Sequence, residues 1–167
     1  MNEIIFTPSL NWMVTFIASF LFWLMIFLLL FFYGFKRKIK LEILVKAILS
    51  VGIAYLISEI IKYFIPSIRP FKMNGYPPLT ITVPLGSSFP SSHSSAAFAL
   101  AVSLLIYKPD FGFAFLLGAL TVAAGRILAN VHYFLDVLGG AFLGSVVAFF
   151  INGFFPKKQK KKLNFKD

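Results

Sequence analysis

The chain contains two histidines, His93 and His132, and each stands beside groups that a phosphate needs. His132 precedes Asp136 by four residues, a spacing that places both on one helical face. A carboxylate bonded to one ring nitrogen fixes the imidazole tautomer and makes the other nitrogen a better nucleophile or base. His93 follows Ser91 and Ser92 at the mouth of a long apolar run. Free N–H groups and the dipole at a helix start favour an anion there, and His93 is a second histidine able to donate a proton. Lys62, Arg69 and Arg126 add cationic donors, and the arginine fork suits phosphate oxygens. Oxyanion binding, an activated nucleophile and a general acid together describe phosphoryl transfer without a metal.

These residues are far apart in sequence, so the elements that carry them must bring them together. The composition, 59% hydrophobic and 13% charged over 167 residues, is that of a membrane protein. A soluble domain this small could not bury so many Phe, Leu and Ile side chains. Five apolar segments are expected as membrane helices, over roughly 11–35, 41–65, 93–107, 111–130 and 134–155. The third is short for a bilayer core of about 30 Å, so it is expected to extend slightly at one end. The class is all-α: one polytopic helix-bundle domain over 1–167 with five transmembrane helices. The N-terminal apolar run lacks a basic leader and is too long for a signal peptide, so it reads as a retained helix. Between the second and third segments lies a loop over 66–92 with six prolines. Its rigidity and its apolar Ile81, Val83 and Leu85 predict an ordered cap at headgroup depth.

The net charge of +10 would point to nucleic acid in a soluble protein. Here the charge is concentrated in Lys36–Lys40 and in the basic tail over 156–167, each directly after an apolar segment. That pattern sets topology, with both runs cytoplasmic and in contact with anionic membrane lipids; a nucleic-acid partner is not expected. Four crossings separate the two runs, so they agree. Lys62, Arg69, Ser91, Ser92, His93, Arg126, His132 and Asp136 then all lie at the outer membrane face. The absence of cysteine excludes disulfides, thiolate nucleophiles and Cys-based metal sites.

Other polar groups have simpler uses. Glu59, one turn before Lys62, is expected to pair with a basic side chain structurally. Glu42 and Lys46 have the spacing of an intrahelical pair. Gly139, Gly140, Gly144 and Ser145 form a run of small residues that allows close helix packing.

Three stretches carry a family resemblance. "KYFIPSIRP" (Lys62 to Pro70) resembles a Lys, six residues, Arg-Pro motif; "PSSH" (Pro90 to His93) resembles Pro-Ser-Gly-His; "GRILANVHYFLD" (Gly125 to Asp136) resembles Ser-Arg, five residues, His, three residues, Asp. In this order and spacing they resemble the type 2 phosphatidic acid phosphatase family over about half of the chain. The resemblance implies that His132 is the nucleophile forming a phosphohistidine, that Asp136 orients it, and that His93 protonates the leaving oxygen. It also implies that Lys62, Arg69, Ser91, Ser92 and Arg126 hold the phosphate, with no cofactor and no metal. Ser92 replaces a Gly of the family pattern, and Gly125 replaces a Ser, which removes one hydroxyl expected on the phosphate. The family commonly has six membrane helices; here the first is expected to shrink to a short interfacial segment over Met1–Leu10.

The resemblance further implies an integral lipid phosphatase of the cell membrane, acting on a lipid phosphate or polyprenyl diphosphate at the extracytoplasmic side. The expected reaction is undecaprenyl pyrophosphate to undecaprenyl phosphate; phosphatidylglycerophosphate or phosphatidic acid are the alternative substrates. A catalytically silent lipid-phosphate-binding protein is the alternative of another class, but pure anion binding needs only the cations, not His93, His132 and Asp136. An anion channel would need basic residues across the membrane, and the middles of the apolar segments supply none.

Overall fold

A computed structural model describes residues 7–35 and 39–154. Its helices are α1 (Pro8–Gly34), α2 (Leu41–Phe64), α3 (Pro70–Asn74), α4 (Ser92–Tyr107), α5 (Pro109–Leu128) and α6 (Phe134–Phe154), and no strand occurs among the described residues. Helices α1, α2, α5 and α6 are long and apolar enough to cross a membrane, and α4 is a shorter apolar helix. The all-helical membrane class read from composition is what the chain adopts. The 16 residues of α4 rise about 24 Å, short of a hydrocarbon core of about 30 Å. It gains only Ser92 over the expected start.

Two expected boundaries move for local reasons. Pro8 opens α1, and Pro109, not Phe111, opens α5; proline suits the first helical turn because its missing N–H has no partner there in any case. The proposed interfacial segment Met1–Leu10 is therefore corrected at its end, since Pro8–Leu10 form the first turn of α1. Its remainder over 1–6, most of the first basic run at 36–38 and the tail over 155–167 lie outside the described residues.

Helix α1 buries one stripe, Val14, Ala18, Phe22, Met25 and Leu29, spaced every three or four residues. Its other faces expose Trp12, Phe16, Trp23 and Phe27, as expected of side chains that meet lipid tails. The buried stripe packs on α5, while α4 is the centre of the bundle, enclosed by α2, α5 and α6. Small residues make that central position possible: Ser94, Ser95, Ala96, Ala97, Ala99 and Ala101 are all buried. On α6, Gly140 and Gly144 face α4 so closely that an added Cβ would stand 2.5 Å from Ser91 O and 2.0 Å from Ser95 O. Of the small residues read from the sequence, Gly140 and Gly144 make this contact, while Gly139 faces Phe89.

The buried hydroxyls of α4 are satisfied locally. Ser95 Oγ donates to Ser91 O at 3.0 Å, and Ser58 Oγ of α2 lies 2.7 Å from Ser95 Oγ. A buried hydroxyl without a partner would cost about 1–3 kcal/mol, so these pairs keep a serine-rich helix compatible with the core.

The loop between α2 and α4 is an ordered cap. Ser67 Oγ accepts the backbone N–H groups of Ser88 and Phe89 at 3.0 and 2.8 Å. Leu79 N–H donates to Ala129 O at 2.9 Å, and Phe71 N–H to Asn130 O at 3.2 Å. Asn130 has φ 60°, a conformation that Asn tolerates better than most residues, and its Nδ2 donates to Tyr76 O at 2.9 Å. Ile81, Val83 and Leu85 are exposed on the cap. At the opposite end of the bundle, Lys46 Nζ bonds Glu42 Oε1 at 2.6 Å, as expected, and also Tyr107 Oη at 2.8 Å.

Candidate active site

Helix direction alone gathers the candidate residues. Lys62 ends α2, Ser91 to His93 begin α4, Arg126 ends α5, and His132 and Asp136 flank the start of α6. Adjacent helices run in opposite directions, so these four termini share one end of the bundle, beneath the cap that carries Arg69.

Asp136 explains the four-residue spacing from His132. It is the third residue of α6, and its Oδ2 accepts the Tyr133 N–H at 2.8 Å. That is the reach-back half of a helix N-terminal capping box. The same oxygen lies 3.5 Å from His132 Nδ1, which has no hydrogen-bond partner among the described residues. The separation exceeds a normal hydrogen bond, so the pair interacts here mainly through charge. On the other side of the ring, Arg69 Nη1 is 3.4 Å from His132 Nε2. A guanidinium can only donate, so this geometry places the lone pair on Nε2 and the proton on Nδ1, facing the carboxylate. The ring is 3% exposed. Burial pushes the His132 imidazole down to about 4, with Arg126 and Arg69 adding to the fall and Asp136 opposing it. A neutral imidazole with its lone pair turned toward a cation can act as a nucleophile or base on an anion held there.

Arg69 binds backbone carbonyls of the cap and of the segment before α6. Its Nε, Nη1 and Nη2 donate to Gly86 O at 3.2 Å, Val131 O at 3.1 Å and Ser87 O at 2.9 Å. It stitches the cap to the segment that carries His132. Burial lowers its pKa, and Asp136 and Glu59 oppose the fall. Arg126 is anchored on α1, where Nη1 donates to Ala18 O at 2.9 Å. Its Nε is buried without a partner among the described residues, and an oxyanion would satisfy it.

The start of α4 differs in detail from expectation. Ser91 is fully buried and caps the helix, its Oγ accepting the Ser94 hydroxyl at 3.0 Å. Its own N–H donates to Asp136 O at 2.9 Å and locks α4 to α6. Ser92 Oγ donates to Glu59 Oε1 at 2.6 Å and also contacts Lys62 Nζ, which itself bonds Glu59 at 2.7 Å. The pairing of Glu59 with a basic residue was legible from spacing; its bond to Ser92, 33 residues away, was not. His93 stands edge-on to Phe22 at 6.2 Å between ring centroids. It also lines an apolar cavity of about 480 Å³ between α1, α2 and α4, with Phe22, Trp23, Val51 and Tyr55.

Gly125 also has a packing role. An added Cβ would stand 2.5 Å from Ile17 Cγ2 and 3.3 Å from Ala18 N. A serine here would press against α1 at a stiff, branched side chain. The position is a helix contact in this chain, a packing reason for glycine that the missing hydroxyl did not reveal. No group of three or more His, Asp or Glu side chains that could hold a metal is present among the described residues.

Comparison with known proteins matches the same region. Residues 43–160 match the model of the PAP2 superfamily. The chain is 29% identical over 145 residues to an undecaprenyl-diphosphatase of Sulfolobus acidocaldarius, covering 84% of this chain and 68% of that protein. The crystal structure of Aquifex aeolicus LpxE superposes with a TM-score of 0.71 at 27% identity, covering 88% of this chain and 87% of that one. A PAP2-type phosphatidylglycerolphosphate phosphatase of Bacillus subtilis superposes with a TM-score of 0.70 at 26% identity, over 95% of this chain and 82% of that one. With the three motifs inside a matched region that spans most of the chain, this protein belongs to the PAP2 superfamily and is a membrane phosphatase of that family.

Proposed function

We propose that the protein hydrolyses a polyprenyl diphosphate, undecaprenyl pyrophosphate, to the monophosphate at the outer face of the cell membrane. The observation that carries the mechanism is His132 held between Asp136 at Nδ1 and Arg69 at Nε2. His132 Nε2 attacks the terminal phosphorus, and the bond from that phosphorus to the bridging oxygen breaks. His93 delivers a proton to the departing oxygen, leaving phosphohistidine and the lipid monophosphate. Water then attacks the phosphohistidine, gives its proton to His93 and releases inorganic phosphate. Lys62, Arg69, Arg126 and the amides of Ser92 and His93 hold the transferring oxygens; Ser91 supports them by capping α4. The apolar cavity beside His93 suits a substrate whose tail stays in lipid. The undecaprenyl-diphosphatase relative favours the diphosphate. The structural likeness to a phosphatidylglycerolphosphate phosphatase makes that lipid the second reading.

A substrate panel in detergent tests the assignment. Turnover of undecaprenyl pyrophosphate in EDTA is expected to exceed that of phosphatidylglycerophosphate and phosphatidic acid. Faster hydrolysis of either monoester would reassign the substrate, and loss in EDTA with rescue by Mg²⁺ would defeat the histidine mechanism.

The pH profile has a definite sign. Neutral His132 is the reactive form and predominates above about 4, against 6.5 for an ordinary histidine. With an activated ester, which needs little proton help from His93, the free-enzyme kcat/KM should therefore hold through pH 6 and fall only as pH drops toward about 4. An acid limb centred on the ordinary histidine value would show His132 to be neither buried nor in the cationic surroundings described.

Five crossings, with α4 as the third, place the cap outside and the basic tail inside. Single cysteines Leu85→Cys and Gln159→Cys should react with impermeant reagents from opposite sides of the membrane. Labelling of both from one side would overturn this topology.

A further inference from the structure

We propose that Glu59 is a displaceable counter-ion of Lys62, held in place by Ser92, and that it competes with the substrate's phosphate for the lysine. The inference rests on Lys62 being a phosphate ligand, as argued above, and adds to that site a residue that sets its affinity for phosphate. Glu59 Oε1 accepts from both Lys62 Nζ at 2.7 Å and Ser92 Oγ at 2.6 Å, and Lys62 also reaches Ser92. The three groups close a ring between the last turn of α2 and the first turn of α4, directly before His93.

The two ends of the ion pair differ in burial. The Lys62 side chain is 13% exposed and that of Glu59 is 44% exposed. The ammonium is therefore fixed in the site, and the carboxylate sits at its rim, where it can turn to water without a large desolvation cost. Phosphate binding then becomes an exchange. Lys62 leaves the carboxylate and takes a phosphate oxygen, and Glu59 is hydrated. The ring depends on Ser92, because the glycine of the family pattern offers no hydroxyl to hold Glu59. A carboxylate held on the lysine lowers affinity for every phosphate anion, released inorganic phosphate included, so it favours product departure as well as setting the threshold for entry.

Inorganic phosphate is the probe, measured as a competitive inhibitor of activated phosphate-ester hydrolysis by the purified full chain. Glu59→Gln keeps the shape and the acceptor but removes the charge. It should tighten phosphate inhibition about fivefold to tenfold, because Lys62 then leaves a neutral amide and not an opposite charge. KM should fall in step while kcat does not rise. Ser92→Gly should shift inhibition in the same direction by less, and Lys62→Met should weaken it. Inhibition that is unchanged or weaker in Glu59→Gln, while Lys62→Met weakens it, would overturn the counter-ion role and leave the phosphate site standing. Unchanged inhibition in Lys62→Met would overturn both.

Discussion

His132→Ala is expected to reduce turnover by at least about 10⁴-fold, the order seen when a covalent nucleophile is lost, and to leave no phosphoenzyme. The reason is geometric. His132 is the ring whose one nitrogen faces a carboxylate while the other faces a guanidinium, and no other described histidine is so placed. His93→Ala should behave differently. Its ring lines the apolar cavity and stands edge-on to Phe22, on the side where the lipid oxygen is proposed to depart. General acid assistance is worth about 10²–10⁴-fold, and an ester with an acidic leaving group needs little of it. Such an ester should recover much of the His93→Ala loss and none of the His132→Ala loss. Acid-quenched protein incubated with labelled substrate reads the covalent step directly. Label retained by His132→Ala, or equal rescue of both variants, would show the two roles to be wrongly divided.

What the sequence made legible was local or periodic. The four-residue spacing of His132 and Asp136 was readable because both ends of the contact lie on one helix start. The step from Gly140 to Gly144 was readable because it has the period of a packed helix face. The partners of single side chains were not readable in this way. Ser92 stood out only as a departure from Gly; that its hydroxyl meets Glu59 depends on how α2 lies against α4. Gly125 stood out as a missing hydroxyl, yet its Cα faces Ile17 on α1, more than a hundred residues away. Arg69 was read as a phosphate ligand from its motif, whereas its bonds to Gly86, Ser87 and Val131 carbonyls depend on the path of a loop that has no periodicity. Motifs thus named candidate residues, and tertiary contacts decided what several of them hold.

Gly144→Ala should destabilise the protein and disable it although it adds only one methyl group. Two effects oppose one another. Alanine is favoured over glycine inside a helix by about 1 kcal/mol. Against this, the new Cβ would stand 2.0 Å from Ser95 O and 2.9 Å from Ala99 N. Both obstacles are backbone atoms of α4 and cannot rotate away, so α4 and α6 must separate. Overpacking costs about 1–3 kcal/mol even where side chains can adjust, and a rigid backbone obstacle belongs at or above the upper end. Packing therefore wins over propensity. Separation would also strain the bond from Ser91 N–H to Asp136 O, at 2.9 Å, through which α4, bearing His93, is held to α6, bearing Asp136. Gly153→Ala is the control, because its Cβ would meet nothing within 4 Å; there only propensity acts, and stability should hold or rise. Thermal unfolding in detergent, with hydrolysis followed on the same samples, compares the two directly. Gly144→Ala should melt below the wild type and lose activity, while Gly153→Ala should do neither; equal melting of the two variants would mean that α4 and α6 do not meet at Gly144.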